Sequence, residues 1–246
     1  MDKKLISIII ATYNAGKTIE RCLKSIIHQK SDQIELLIVD GNSKDNTMDI
    51  INQYVGYIDF CVTEPDKGIY DAWNKALNYV TGDWVMFIGA DDIILPDSLN
   101  KYITFLQNTK VDDVDLISGR CEMINQEGKL VTVWGNPYCW NEFRRYMKIS
   151  HGSSLHNKKL FQELGGFDLR FKICADYEFL LRKKLKTAFI NQPIIQMQLG
   201  GMSYTVKGQI ETYNIRHYRK SIPQLMNIFY LVKGIISLYA KYLFWR

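Results

Sequence analysis

The chain has 246 residues, 47% of them hydrophobic and 23% charged, which is the composition of a soluble globular protein with material for one large α/β domain. Its net charge of +5 comes without a dense Lys/Arg stripe interleaved with aromatics in the first 200 residues, which argues against nucleic acid as a partner. Five widely spaced cysteines with no C-x-x-C pair imply neither a disulfide framework nor a zinc site, and read as reduced intracellular thiols.

In chain order, Leu5 to Ala11 is a continuous apolar run, as expected of a strand buried on both faces of a parallel sheet. The run is too short for a signal peptide, so the chain is expected to begin inside the cell. After the loop TYNAGK, the residues Ile19, Cys22, Leu23, Ile26 and Ile27 recur at helical spacing and give one apolar face. Ile34 to Val39 reads as a second buried strand ending at Asp40, and GNSKDNT then supplies turn residues before a helix over roughly residues 47–54. Ile58 to Thr63 is a third, weaker strand. EPDKG leads into a helix whose Ile69, Ala72, Trp73, Ala76, Leu77 and Val80 share a face, with Tyr70, Asp71 and Asn74 on the other. Trp84 to Ile88 is a fourth strand. Four strands alternating with three helices predict a mostly parallel sheet with right-handed crossovers.

Three of these strands lead into acids: Asp40, Asp66 and the pair Asp91–Asp92. Ligands of open α/β sheets bind at this carboxyl edge. Two adjacent carboxylates are costly to hold together unless a cation shares them. Oxygen ligands suit Mg²⁺ or Mn²⁺, which favour phosphate as the other ligand, so the pair points to a metal–diphosphate site. The plainer reading is a solvated turn ahead of a helix, and each acid alone can be a cap or turn residue.

After a helix over residues 97–107, VDLISGRCEMIN and KLVTVWG read as a hairpin about Gln126-Glu127-Gly128. Beyond it the alternation stops. Residues 134–150 are rich in Trp, Tyr and Asn, which suits an acceptor-facing loop and equally an aromatic surface. Asp176 opens a short apolar helix, where it is either a helix N-terminal charge or a general base delivered to a pocket.

The segments IIIATYNAGKTIERCLKSI, LLIVDGNSKDNT, TEPDKGIYDAWNKAL, TGDWVMFIGADD, LGGFD and ADYEFLLR, in that order over residues 5–185, resemble the family 2 inverting glycosyltransferases. The resemblance implies a single Rossmann-like GT-A domain with helices on both faces of its sheet. It implies a transferase that moves a hexosyl or N-acetylhexosaminyl group from a nucleotide sugar, with UDP as the expected nucleotide, to a glycan or polyprenyl-diphosphate-linked acceptor in bacterial polysaccharide synthesis. Carried over by position, Thr12, Tyr13, Asn74 and Ala90 would line the nucleotide pocket. Asp40 and Asp66 would contact uracil and ribose, and Lys67 and Gly68 would border the base. Asp91, with Asp92 beside it, would bind Mn²⁺ or Mg²⁺; Asp176 would be the base, and His151 would lie near the diphosphate or acceptor. Gly89 stands where the family often has Asp or Asn, which departs from two-point metal ligation.

Two rivals come from other classes. ATYNAGKT is a relaxed phosphate-loop pattern, so Gly16, Lys17 and Thr18 could serve a nucleoside triphosphatase, although the strict pattern's first glycine is missing. A non-catalytic sugar-nucleotide-binding protein would keep the fold without Asp176 or the metal acid. The domain is expected over residues 1–215, a nucleotide-sugar half to about 110 and an acceptor half over 111–215, followed by a basic, apolar helical tail over 216–246. Residues 222–244 as one helix would reach about 34 Å, but Lys233 near the middle favours lying in a membrane interface over spanning it. Docking of the tail on the catalytic domain or a second subunit is the alternative. The expected place is the cytoplasm, at the inner face of the plasma membrane.

Overall fold

The computed structural model describes residues 4–244, with side chains to residue 240. Residues 1–3, residues 245–246 and the side chains of residues 241–244, all within the two expected ends of the chain, lie outside the described residues.

The first apolar run forms β1 (Ile6–Thr12), and every one of its residues is buried. The reason is visible in what its alternate side chains meet. Ile6, Ile8 and Ile10 join one core, while Ile9 and Ala11 join another on the opposite face of the sheet. Each fully buried isoleucine contributes about 1.5–3 kcal/mol relative to exposure. β2 (Ile34–Asp40) and β4 (Trp84–Gly89) run parallel on either side of β1, and β3 (Phe60–Thr63) pairs with β2. Between them, α1 (Ile19–Ile27) and α2 (Thr47–Gln53) cover the first core, whereas α3 (Ile69–Ala76) covers the second with Tyr70, Ala72, Trp73 and Ala76. The four-strand parallel unit expected from sequence is therefore present. The third strand starts later than expected, at Phe60, because Asp59 is occupied with strand β2: its carboxylate accepts the Leu36 N–H at 2.8 Å.

Past β4 the chain makes β5 (Ile93–Ile94), α4 (Ser98–Asn108) and a β6 (Leu116–Ile124) to β7 (Leu130–Trp134) hairpin, as the turn residues predict. After the short α5 (Trp140–Phe143), β8 (Ser154–Asn157) inserts antiparallel between β4 and β6. α6 (Lys158–Leu164) and α7 (Ala175–Leu180) close the second core, and β9 (Thr187–Gln198) pairs parallel to β6, giving the order β3-β2-β1-β4-β8-β6-β9-β5 with β7 on β6. The five cysteines are free thiols, as expected.

The tail is helical. α8 (Val206–Tyr218) and α9 (Gln224–Phe244) pack against each other in opposite directions, because Asn227 meets Tyr213 and Arg216 while Gly234 lies against Gln209. Among the described residues no helix is long and apolar enough to cross a membrane.

Candidate active site

The carboxyl ends of β1 and β4, with the loop after β3, open onto a cavity of about 460 Å³ lined by Thr12, Tyr13, Asp66, Gly68, Ala90 and Asp91. Thr12 Oγ1 is buried there without a hydrogen-bond partner, and the Tyr13 ring stands exposed at the mouth. Asp66 reaches the wall because Gly41 has no side chain: a Cβ at Gly41 would sit 2.5 Å from Asp66 Oδ2. The Gly68 N–H donates to Asp66 Oδ1 at 2.8 Å and fixes the carboxylate. Gly68 itself holds φ at +114°, a conformation that side chains resist.

The acidic pair at the end of β4 divides. Asp91 is exposed and lines the cavity, with its backbone carbonyl accepting from Arg21 at 3.0 Å. Asp92 is buried, folds back to accept the Gly89 N–H at 3.1 Å, and has its carboxyl pushed up to about 7 by burial and then by the Asp91 charge. Of the pair expected to bind a metal, only Asp91 lines the cavity, and Asp92 is turned into the protein. Gly89 leaves room for both carboxylates, since a Cβ there would lie 2.8 Å from Asp91 Oδ1 and 3.1 Å from Asp92 Oδ2 and would push the exposed Asp91 side chain aside. Among the described residues no group of three or more His, Cys, Asp or Glu side chains could hold a metal ion. A lone carboxylate on a cavity wall still fits Mg²⁺ or Mn²⁺, which take one or two protein carboxylates and fill the remaining positions with phosphate and water.

A second cavity of about 570 Å³ adjoins this tip. It is lined by Asp176, His151, Gly152 and Trp134, by Arg216 of α8 and by Lys233 of α9. A Cβ at Gly152 would approach within 3.8 Å of Asp92 Oδ2, so the turn bearing His151 lies against the β4 end. Asp176 sits in the first turn of α7. Burial raises its pKa, against the lowering effect of the Tyr177 backbone N–H and the Tyr70 hydroxyl. Tyr70 Oη lies 3.0 Å from Asp176 Oδ1 and 2.9 Å from the Ile173 carbonyl, so one phenolic proton faces two acceptors. The loop ahead of α7 is fixed from α8: Glu211 accepts the backbone N–H groups of Lys172, Ile173 and Cys174 at 2.9, 2.7 and 2.7 Å. His151 packs over Trp73, ring centroids 5.3 Å apart, and burial lowers its pKa to about 3, so its imidazole is neutral at working pH. Its Nε2 has no hydrogen-bond partner.

Three other expected donor residues are placed elsewhere. Both ends of the Asn74 amide are spent on Phe167, donating to its carbonyl at 2.8 Å and accepting its N–H at 2.7 Å, so Asn74 ties α3 to the LGGFD turn instead of meeting a nucleotide. Asp40 is fully buried beneath the cavity-lining residues, and its carboxylate accepts the Ser43 N–H at 2.9 Å and the Ser43 hydroxyl at 2.5 Å. Lys67 is exposed and outside the lining. The phosphate-loop rival is also corrected. The N–H groups of Asn14, Ala15 and Gly16, which would have to cradle a phosphate, donate to Ser43, Thr47 and Asp45 at 2.8, 2.8 and 3.0 Å.

The sequence model of glycosyl transferase family 2 matches residues 7–172. The chain belongs to this family. The glycosyltransferase is 30% identical, over 84% of its length and 82% of the relative's, to a PGL/p-HBAD biosynthesis glycosyltransferase of Mycobacterium bovis. It has the GT-A fold. The S. aureus TarS fragment 1-349, solved in complex with UDP-GlcNAc, superposes with a TM-score of 0.72 at 17% identity, covering 94% of this chain and 71% of that one. The mannosyltransferase PcManGT from Pyrobaculum calidifontis, in complex with GDP-Man and Mn²⁺, gives 0.63 at 18% identity, covering 98% and 76%. The glycosyltransferase thus presents Thr12, Tyr13, Asp66, Gly68, Ala90 and Asp91 in one cavity and His151 with Asp176 in its neighbour.

Proposed function

We propose that this glycosyltransferase transfers a hexosyl or N-acetylhexosaminyl group, with inversion, from a uridine diphosphate sugar to a hydroxyl of a glycan or polyprenyl-diphosphate-linked acceptor. The observation that carries the proposal is a cavity on each side of the β4 end, one with Asp91 on its wall and the other, reached through the Gly152 turn beside Asp92, with Asp176 as its one carboxylate among the described residues. Residues 1–110 bind the donor and 111–215 the acceptor. In the first cavity Tyr13 covers the base, and Asp66 accepts from ribose hydroxyls. Asp40, fully buried and held by Ser43, supports the loop behind the cavity and does not meet the base. The nucleotide complexes of TarS and PcManGT support a nucleotide in this place.

In the second cavity Asp176 accepts the proton of the acceptor hydroxyl as its oxygen attacks the anomeric carbon from the face opposite the nucleotide. The bond to the diphosphate breaks, and the electron pair leaves with the nucleotide. Neutral His151 orients the acceptor through its one ring N–H and one bare ring nitrogen, because an imidazole whose pKa is near 3 is not protonated at working pH and is no general acid. Asp91 would hold Mn²⁺ or Mg²⁺, whose contribution is to stabilise the charge on the departing diphosphate. The tail over 216–246 rests on the inner face of the plasma membrane and brings a lipid-linked acceptor to the second cavity.

Calorimetry of UDP with and without Mn²⁺ tests the donor half of this reading. Mn²⁺ is expected to tighten UDP binding by about tenfold or more in the parent protein and to lose that effect in Asp91→Ala. Equal affinity with and without the metal in the parent would overturn the metal role.

A further inference from the structure

Arg216 is the odd charge of the second cavity. The two neighbouring buried-side arginines, Arg182 and Arg219, both pair with Glu178, whereas Arg216 makes no ion pair among the described residues although it is 2% exposed. Its Nε donates to Asn227 Oδ1 at 2.6 Å and its Nη1 to the Arg145 carbonyl at 2.6 Å. Nη2 is buried with no hydrogen-bond partner. The groups that face the charge are the neutral phenols of Tyr177, which is also within hydrogen-bonding reach, and Tyr230, and burial pulls its pKa down. Asp176 does not neutralise it, since that carboxylate takes its hydrogen bonds from Tyr70 and the Tyr177 backbone. An unpaired buried guanidinium with unspent donors is costly unless an anion arrives to meet it.

The surroundings repeat the sign. Lys233 of α9 lines the same cavity, and no Asp or Glu occurs anywhere from residue 212 to 246. Asn227 and the Arg145 carbonyl hold the guanidinium plane fixed and leave Nη2, which has no hydrogen-bond partner, as the donor that a phosphate entering the cavity lined by Arg216 would meet. Trp134 and Tyr230 line the same space and offer faces to a sugar ring or an apolar chain.

We infer that Arg216, assisted by Lys233, binds a phosphate or diphosphate group carried by the acceptor, so that the enzyme selects an anionic acceptor by a subsite separate from the donor's. The inference rests on the reading of the second cavity as the acceptor site.

The test uses the full-length protein saturated with UDP, titrated with geranyl diphosphate, geraniol and inorganic pyrophosphate while Trp fluorescence is followed. Geranyl diphosphate is expected to bind at least about tenfold tighter than geraniol, and Arg216→Met to remove that advantage, the loss expected when a hydrogen-bonded charge loses its partner. Lys233→Gln, exposed and harmless to the fold, is expected to weaken geranyl diphosphate a few-fold. UDP affinity is expected to be the same in all three proteins. Equal binding of geranyl diphosphate and geraniol by the parent, or equal geranyl diphosphate binding by parent and Arg216→Met, would overturn the subsite. Pyrophosphate binding as tightly as geranyl diphosphate would make it a free-anion site and overturn the acceptor assignment. If Arg216→Met does not fold, the parent's diphosphate-to-alcohol ratio and Lys233→Gln decide between the same outcomes. Failure of UDP to bind any of the proteins would instead count against the donor reading and leave the anion result intact.

Discussion

Burial acts on two side chains of the second cavity in opposite directions. It raises the Asp176 carboxyl above the ordinary carboxylate value and lowers the His151 imidazole to about 3. Only the first change matters for a base, which must be ionised to accept a proton. Transfer is therefore expected to be absent below the Asp176 pKa and to rise as pH climbs through it, placing the acid limb of the kcat profile above the usual carboxylate range. Tyr70 adds a check on the assignment. Its hydroxyl donates to the ionised carboxylate and so lowers the pKa; Tyr70→Phe removes that bond and moves the acid limb to higher pH. A limb that stays in place in Tyr70→Phe would detach the profile from Asp176. Asp176→Asn keeps the shape of the side chain but cannot take a proton at neutral pH. It is expected to retain UDP-sugar binding and lose transfer by about 100-fold or more, read in a single-turnover assay. Parent-like transfer would reduce Asp176 to a helix-start residue.

At the level of helices and strands, the neighbouring acid on α7 has a different fate. Glu178 is fully buried and receives Arg182 and Arg219 together, so both carboxylate oxygens are engaged and none is left to meet an acceptor. This fixes α7 to α8 and to the end of α6 rather than serving chemistry. Glu178→Gln is expected to lower unfolding free energy by about 3–5 kcal/mol in urea titrations, the scale for breaking a buried ion pair, while the folded fraction keeps its transfer rate. A stable variant with lost transfer would reverse the roles of the two acids. The difference between Asp176 and Glu178 was not legible in ADYEFLLR, because both acids stand in the first turn of the same short helix. What period and composition do reveal is the part of the fold built from local repetition. β1, β2 and β4 are legible as continuous apolar runs, α1 and α3 as helical faces, and Asp66 and Asp91 as acids at strand ends. The family motifs add Asp176 and His151. Residues whose meaning depends on a distant partner stay hidden: Asn74 on Phe167, Glu211 on the loop before α7, Glu35 under Thr81 and Gly82, and Arg216 on Arg145. Nothing in their own neighbourhoods along the chain names those partners. The placement of β8 and β9 is hidden for the same reason, since their register is fixed by pairing with β6 and not by a βα repeat.

Seen as a whole, the molecule has a sided tail. One side of α9 belongs to the catalytic body: Asn227 is fully buried, and Tyr230 and Lys233 wall the second cavity. The other side carries Leu225, Phe229, Val232, Ile236 and Tyr239 at successive steps of four, three, four and three residues, a single stripe in which Leu225 is 84% and Ile236 62% exposed. One face of α9 docks on the domain, and the exposed stripe on the other is the face that the proposed membrane contact would use. They also change which experiment is informative. Deleting residues 221–246 would remove the cavity wall and the Asn227 contact to Arg216 together with the stripe, so lost membrane binding and lost integrity would be confounded. Substituting the stripe alone separates them. Phe229→Glu with Ile236→Glu touches only exposed side chains, so the fold and UDP binding are expected to stay at parent values. Apolar burial in lipid is worth about 1.5–3 kcal/mol for each such side chain, and each new carboxylate is repelled by an anionic surface. Partitioning onto phosphatidylglycerol vesicles in a sedimentation assay is therefore expected to fall by more than about 100-fold. Phosphatidylcholine vesicles should bind the parent protein more weakly, because the acid-free segment after Glu211, with exposed Lys220 at the head of α9, then meets no negative charge. If the doubly substituted protein sediments with phosphatidylglycerol vesicles as the parent does, the stripe is not the membrane contact.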